Sequence, residues 1–262
     1  MSRPIITLTT DFGIEDHFVG VMKGVILSIA PDAQIVDITH QIRAFDIAEA
    51  AFVISEAYRR FPKKTVHVAV VDPGVGSTRR PILAQGGGFT FIAPDNGVLS
   101  LVLERETCTV RHITAEKYFL KPVSKTFHGR DVFAPVAAHV AGGAPASRMG
   151  ATIADALRSN LMQVYRVGKR TWAGRILKID RFGNLITNLA SEEFAPLLDR
   201  PFEICVGLER VARRVASYEE AEFGVPVVIA GSAGLLEIVF RQDSAAKRLG
   251  CGAGAPVELT VF

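Results

Sequence analysis

Strand-like and helix-like runs alternate through the first 160 residues, and no other feature restricts the fold as tightly. Ile5–Thr9 is a short β-branched run that ends in the polar turn Thr10-Asp11-Phe12-Gly13. Phe18, Met22, Val25 and Ile29 then recur at helical spacing, with Asp16 placed as an N-cap or first-turn acid and Pro31 closing the segment. Residues 35–38 read as a second strand and 46–60 as a second helix. Residues 66–71 are apolar on both faces, which predicts a buried, parallel third strand. Strand, helix, strand, helix, strand is the order of an α/β layer. A shorter apolar pair follows at 81–84 and 89–92, then a helix over 131–141 broken by Gly142-Gly143.

From Trp172 the character changes to short β-rich runs (174–179, 185–189, 202–206, 226–230, 235–240 and 256–262) separated by Gly, Asn and Asp turns. The polar stretches Ser159-Asn160 and Gly168-Lys169-Arg170 mark the boundary. The expectation is an α/β fold class: an N-terminal α/β domain over 1–165 with a central, mainly parallel sheet, and a C-terminal all-β, barrel-like domain over 172–262.

Composition limits the partners. The 262 residues carry 30 Lys and Arg against 27 Asp and Glu, and a net charge of +3 is too weak a field to imply nucleic acid or an anionic membrane. The most apolar stretch, 225–240, contains Pro226, Gly231, Gly234 and Glu237, and falls short of the roughly 18 residues a membrane span needs. Residues 1–13 reach Asp11 before a signal-peptide core forms. Cys108, Cys205 and Cys251 include no CxxC pair and suggest neither a disulfide framework nor a thiol zinc site. A soluble, cytoplasmic protein is expected. Its mean hydropathy of +0.25 is nonetheless high, so apolar surface must be covered somewhere other than a bilayer.

Three polar clusters fall where strands end, which is where α/β sheets place ligands. The first, Thr10 to His17, reads either as a turn with a helix cap or as a site in which Asp11 accepts two sugar hydroxyls and Asp16 faces a cation. A metal site from Asp11, Asp16 and His17 lacks a second histidine at ligand spacing. The second, Val71-Asp72-Pro73-Gly74-Val75-Gly76-Ser77-Thr78-Arg79-Arg80, has neither a phosphate-loop GK[ST] nor a dinucleotide GxGxxG. Its Asp and the Arg seven residues on are candidates for a paired site, and one of the two adjacent arginines reads as a solvated charge. The third, Lys125 to Asp131, opens a helix with His128. His40, His67, His112 and His139 lack such company and read as structural. In the β-rich half, Asp180–Asn184 and Gly231–Gly234 read as hairpin turns.

Taken together, TTDFGxxD at 9–16, VDPGVGSTR at 71–79, IAPDNG at 92–97, TFHGRDVFAP at 126–135, DRFGN at 180–184 and GSAGLLEI at 231–238 resemble the adenosine-forming S-adenosylmethionine (SAM) hydrolases. These SAM hydroxide adenosyltransferases are relatives of the fluorinating and chlorinating enzymes. The resemblance implies hydrolysis of SAM to adenosine and L-methionine by attack at ribose C5′, with no cofactor and no metal. It places the catalytic set on Asp72, Arg79 and His128 and leaves open whether Asp72 or His128 is the base. It assigns Asp11 to the ribose hydroxyls, Phe45 and Phe127 to the nucleoside, and Asn184 and Tyr218 to the adenine. Asp16, Asp180 and Ser232 fall to the methionine amino and carboxylate groups. Ala233 stands where halogenating relatives carry an Arg, which leaves the carboxylate partner unassigned.

Retention of both Asp72 and His128 favours hydroxide over halide, since the halogenating enzymes replace them. The alternatives are a SAM-dependent halide transferase, a metal-dependent phosphoester hydrolase using Asp11, Asp16 and His17, and a non-catalytic SAM or adenosine sensor. The resemblance also implies a homotrimer with each site between one subunit's N-terminal domain and a neighbour's C-terminal domain, which would cover the apolar excess.

Overall fold

A computed structural model describes residues 3–262, so Met1 and Ser2, which open the stretch read for a leader, lie outside the described residues. The chain divides into two compact units between Ser159 and Asn160.

The first unit contains β1 (Ile5–Thr10), α1 (Phe18–Ile29), β2 (Gln34–Thr39), α2 (Ile47–Ala57), β3 (Val66–Val70), β4 (Pro81–Gly86), β5 (Phe89–Pro94), α3 (Ser100–Arg105), β6 (Thr109–His112), α4 (Ala134–Ala141) and β7 (Thr152–Ile153). Its strands form one sheet in the order β2-β1-β3-β5-β4-β6-β7. The four strands β2, β1, β3 and β5 are parallel, and β4, β6 and β7 extend the sheet antiparallel.

The continuous apolar run of β3 follows from burial on both faces. Val66, Val68 and Val70 pack with Ile6, Leu8, Met22 and Val136 on one side. Ala69 and Val71 pack with Ile54, Tyr58, Phe91 and Leu103 on the other, the period-2 alternation of a central strand. His67 also points into this second layer, where Thr7 Oγ1 meets its Nδ1 at 2.7 Å and burial lowers its pKa to about 4, so it is neutral.

Three local expectations change. Asp16 is not the cap of α1: His17 holds that position without a side-chain bond, and Asp16 is exposed one residue outside. The cause is Gly13, which at φ +68° donates its N–H to the His40 carbonyl at 2.8 Å and delays the helix through a series of bends. The second helix is capped by Asp46, whose side chain accepts from Glu49 N–H at 2.8 Å, and it tightens to a 3₁₀ turn after Ala57. The helix expected from residue 131 starts earlier, in a wide turn over Gly129–Phe133 where Ala134 N–H bonds the Gly129 carbonyl. Such π turns are uncommon and recur at functional sites.

The second unit contains β8 (Tyr165–Gly168), β9 (Thr171–Ile179), β10 (Leu185–Ala190), β11 (Phe202–Val206), β12 (Glu209–Val211), β13 (Val227–Ala230), β14 (Leu235–Val239) and β15 (Pro256–Val261). Every strand pairing is antiparallel, in the order β12-β11-β15-β9-β10-β14-β13 with β8 also on β9. Nine-residue β9 serves both halves, and the sheet wraps barrel-like around Ile176, Leu189, Ile204, Leu236 and Leu259. Among the described residues no helix is long and apolar enough to cross a membrane.

Candidate active site

In the first unit, β1 and β3 are adjacent with Thr10 opposite Val70, so Asp11 and Val71-Asp72 leave the sheet side by side at its carboxyl edge. The chain after β3 folds back at once. Val75 N–H bonds the Asp72 carbonyl at 3.2 Å, Ser77 N–H bonds the Gly74 carbonyl at 3.1 Å, and Ser77 Oγ receives Arg79 N–H at 3.2 Å. This reversal returns the Arg79 guanidinium onto Asp72: Nε donates to Oδ1 at 3.0 Å and Nη2 donates to Oδ2. The side chains are 9% and 5% exposed, so the two-point ion pair is shielded from solvent. Gly76 makes the next contact possible. At φ +77° it lies so close to the Lys125 carbonyl oxygen that a Cβ there would sit 2.3 Å away. That approach brings the loop of His128 against the loop of Arg79.

Arg79 Nη2 also lies 2.7 Å from His128 Nδ1. A guanidinium only donates, so Nδ1 is the acceptor and the ring proton resides on Nε2. Burial, and then the Arg79 charge, hold the His128 pKa below its ordinary value, with Asp72 and Asp131 partly opposing them. The remaining Arg79 amine, Nη1, is buried without a hydrogen-bond partner. Asp131 is fully buried and orders the same turn by accepting from Ser124 N–H at 2.8 Å and from the Arg130 guanidinium at 2.6 and 2.9 Å.

The residues of this unit expected to hold the nucleoside fall into two groups. Asp11 Oδ2 accepts Phe45 N–H at 2.9 Å, and Phe45 sits at φ +69° with its ring 70% exposed. A bulky residue in the left-handed region is strained, as functional positions often are. Phe127 instead joins an edge-to-face cluster with Phe12 and Phe18, at centroid distances of 5.9 and 5.2 Å, and packs on the core. Asp16 and His17 are exposed, and among the described residues no three His, Cys, Asp or Glu side chains gather to hold a metal ion.

In the second unit, Asp180–Asn184 is the hairpin turn between β9 and β10. Asp180 Oδ1 accepts Phe182 and Asn184 N–H groups, both at 2.9 Å, and Oδ2 accepts Asn184 Nδ2 at 2.8 Å. Gly183 supplies φ +89° there. Asn184 is buried, and its Nδ2 reaches Tyr218 Oη at 3.5 Å. The Tyr218 hydroxyl in turn donates to Glu237 Oε2 at 3.4 Å. Ser232 lies in the other hairpin, Gly231–Gly234, at the far end of β14: Leu185 faces Ile238, whereas Ala190 faces Leu235. That offset is roughly 10 Å along the strand. Glu237 spans it, contacting Gly231 so closely that a Cβ there would be 1.8 Å from Oε1.

Glu237 carried no role in the sequence reading. It stood out as the lone acid of an apolar stretch and as the E of the GSAGLLEI motif, and on β14 it is buried. Burial, and then the Asp180 charge, raise its pKa above the usual carboxylate range, with the Tyr218 bond working the other way. Arg80 is also not a merely solvated charge, because it pairs with Asp95 and Asp155.

An α/β unit with a buried Asp–Arg–His cluster at its carboxyl edge, followed by an antiparallel barrel with polar hairpins, matches known proteins along nearly all its length. Residues 6–150 match the SAM hydroxide adenosyltransferase N-terminal domain and residues 174–258 the C-terminal domain of that family. The chain belongs to the SAM hydroxide adenosyltransferase family. It is 37% identical to a protein named (R)-S-adenosyl-L-methionine hydrolase from Thermus thermophilus, over 98% of this chain and 99% of the relative. A protein of the same name from Methanocaldococcus jannaschii is 37% identical over 94% and 91%. A fluorinase from Nocardia brasiliensis is 31% identical over 71% of each chain. The crystal structure of a conserved protein from Thermotoga maritima superposes with a TM-score of 0.90 at 35% identity, covering 97% of this chain and 99% of that one.

Proposed function

We propose that this protein hydrolyses S-adenosylmethionine to adenosine and L-methionine. The observation that carries the chemistry is the buried Arg79, bonded at once to Asp72 and His128 at the carboxyl edge of the sheet. Water attacks C5′ in line with the sulfonium. The C5′–O bond forms as C5′–S breaks, the sulfur keeps the electron pair, and methionine departs as a neutral thioether. The leaving group needs no acid. The task is to hold water in line and carry off its proton.

The hydrogen bonds support a division of these roles. His128 has committed Nδ1 to Arg79, so it offers the Nε2 proton and orients the water by donation. Asp72 retains unused lone pairs on both oxygens and takes the proton, which passes to solvent. Arg79 stabilises the hydroxide character that develops. Asp11 and Phe45 hold the ribose side, Phe127 backs the nucleoside, and Asn184 with Tyr218 binds the adenine. Asp16, Asp180 and Ser232 take the methionine end, where carboxylates also attract the cationic substrate. SAM is the substrate, and the reaction requires neither cofactor nor metal.

The relatives' names specify the R sulfonium epimer, and we extend that preference to this chain. We also assign it to the cytoplasm, as a homotrimer whose sites join one subunit's N-terminal unit to a neighbour's C-terminal unit. In support, Ile14, Phe45 and Phe182, each at or near a proposed site residue in the sequence, are 75, 70 and 77% exposed, apolar area that a neighbouring subunit would cover. A stable monomer with full activity in sedimentation would overturn the trimer.

Product chromatography tests the reaction. Each SAM epimer is incubated with the protein, with and without EDTA, and with chloride or fluoride. Equal adenosine and methionine, insensitive to EDTA and faster from the R epimer, is the expected result. A 5′-halo-5′-deoxyadenosine product would mean halide transfer, EDTA inactivation a metal hydrolase, and binding without turnover a sensor.

A further inference from the structure

The motif IAPDNG at 92–97 takes no part in the mechanism above, yet it touches both ends of the loop that carries it out. β5 runs beside β3, so the residues that follow Pro94 lie against the chain leaving β3. Asn96 Nδ2 donates to the carbonyl of Val71, the residue before Asp72, at 2.8 Å. Asp95 Oδ2 accepts from Arg80, the residue after Arg79, through Nε at 2.8 Å and Nη2 at 2.5 Å. The Asp95 backbone N–H also bonds the Arg80 carbonyl at 2.8 Å.

Both side chains are themselves fixed. Asn96 Oδ1 accepts Val98 N–H at 3.2 Å, which orients the amide so that its NH₂ faces Val71. Asp95 is 4% exposed, and its Oδ1 accepts Leu157 N–H at 2.8 Å.

We propose that Asn96 and Asp95 are positioning residues for hydrolysis: they clamp the 71–80 loop at its two ends and so set Arg79 against Asp72 and His128. The proposal rests on the catalytic reading of those three residues. Neither clamp residue bonds the catalytic side chains; each holds the backbone or side chain of an immediate neighbour. A loop pinned only at one end would let the guanidinium drift, and misplacement by about 1 Å costs on the order of 10²-fold in rate. Drift has a second signature. The charged groups acting on His128 are Arg79, Asp72 and Asp131. Moving the Arg79 cation away lets the imidazole protonate at higher pH.

The test compares kcat and KM for SAM, thermal melting and the NMR titration of His128 in wild type, Asn96→Ala, Asp95→Asn and Arg79→Ala. The two clamp variants should lose about tenfold or more in kcat with KM little changed, and His128 should titrate at higher pH. Asp95→Asn is the sharper case. Removing its negative charge alone would move His128 downward, so an upward shift reports displacement of Arg79. It also keeps the side-chain volume and the acceptor for Leu157, and it decides the matter alone if Asn96→Ala does not fold. Folded variants with wild-type kcat, or with reduced kcat but no upward shift of His128, would overturn the clamp. If Arg79→Ala is inactive while the clamp variants are normal, only the clamp fails. If Arg79→Ala is itself active, the catalytic reading fails first.

Discussion

The Asp72–Arg79–His128 cluster and the Asp180–Asn184–Tyr218–Glu237 cluster both sit at chain reversals, but they are held in opposite ways. The first is a buried two-point ion pair with a third, 2.7 Å contact to a histidine. The second has a short Asp180–Asn184 bond of 2.8 Å but reaches its tyrosine and Glu237 only through bonds of 3.5 and 3.4 Å, and that tyrosine is 48% exposed. Short, charge-assisted bonds in a dry setting fix geometry before substrate arrives, whereas long bonds at an exposed ring leave room to adjust. On the proposed roles, the difference separates chemistry from recognition: the first cluster would be built in advance, and the second would tighten on its ligand.

Mutations probe that separation most strongly at Arg79. Arg79→Ala should lower kcat by about 10³-fold, the cost of removing a preorganised donor at a developing anion, while KM for SAM changes little. Steady-state kinetics on adenosine release decide this, and a rise in KM at unchanged kcat would erase the division. Asn184→Ala should do the reverse, raising KM about tenfold through the loss of a hydrogen bond worth about 1.4 kcal/mol and sparing kcat.

An effect on pH follows from the first cluster alone. In the proposed mechanism His128 acts as the neutral ring, and protonation would place a second cation against Arg79, so kcat should fall in acid with a midpoint below the ordinary histidine value of 6.5. The linked stability has the same sign. The unfolded chain takes up the proton first, so stability drops as pH falls from 6.5 to the lowered value and no further. The smallest effect belongs to Glu237→Gln. A raised carboxyl pKa means that folding disfavours the ionised form, so stability is lost as pH rises from the ordinary 4.5 through the raised value. The amide variant lacks that loss and should melt about 2 °C higher than wild type at pH 8. Calorimetry at pH 4 and pH 8 checks the sign: a variant that gains nothing at pH 8 would place Glu237 in a better-solvated setting.

The same contrast shows what could be read from residues alone. Alternation and the apolar run at 66–71 revealed the parallel core, because a strand buried on both faces has no polar side to show. The six-residue α3 and the two-residue β7 were missed because neither is long enough to display a period. Asp72 and Arg79 were legible as a pair because a turn joins them. Their contact with His128, 49 residues away, depends on Gly76 lying against Lys125, which only the fold reveals. Arg80 looked solvated because its partner Asp95 is 15 residues distant, and Asp16 looked like a cap because no local signal reports the tie from Gly13 to His40.

The most direct measurement is the fate of solvent oxygen. SAM is turned over in H₂¹⁸O, and adenosine and methionine are analysed by mass spectrometry. Attack of water at C5′ places one ¹⁸O in the 5′-hydroxyl of adenosine and none in methionine. Unlabelled adenosine, or label in methionine, would contradict attack of water at C5′.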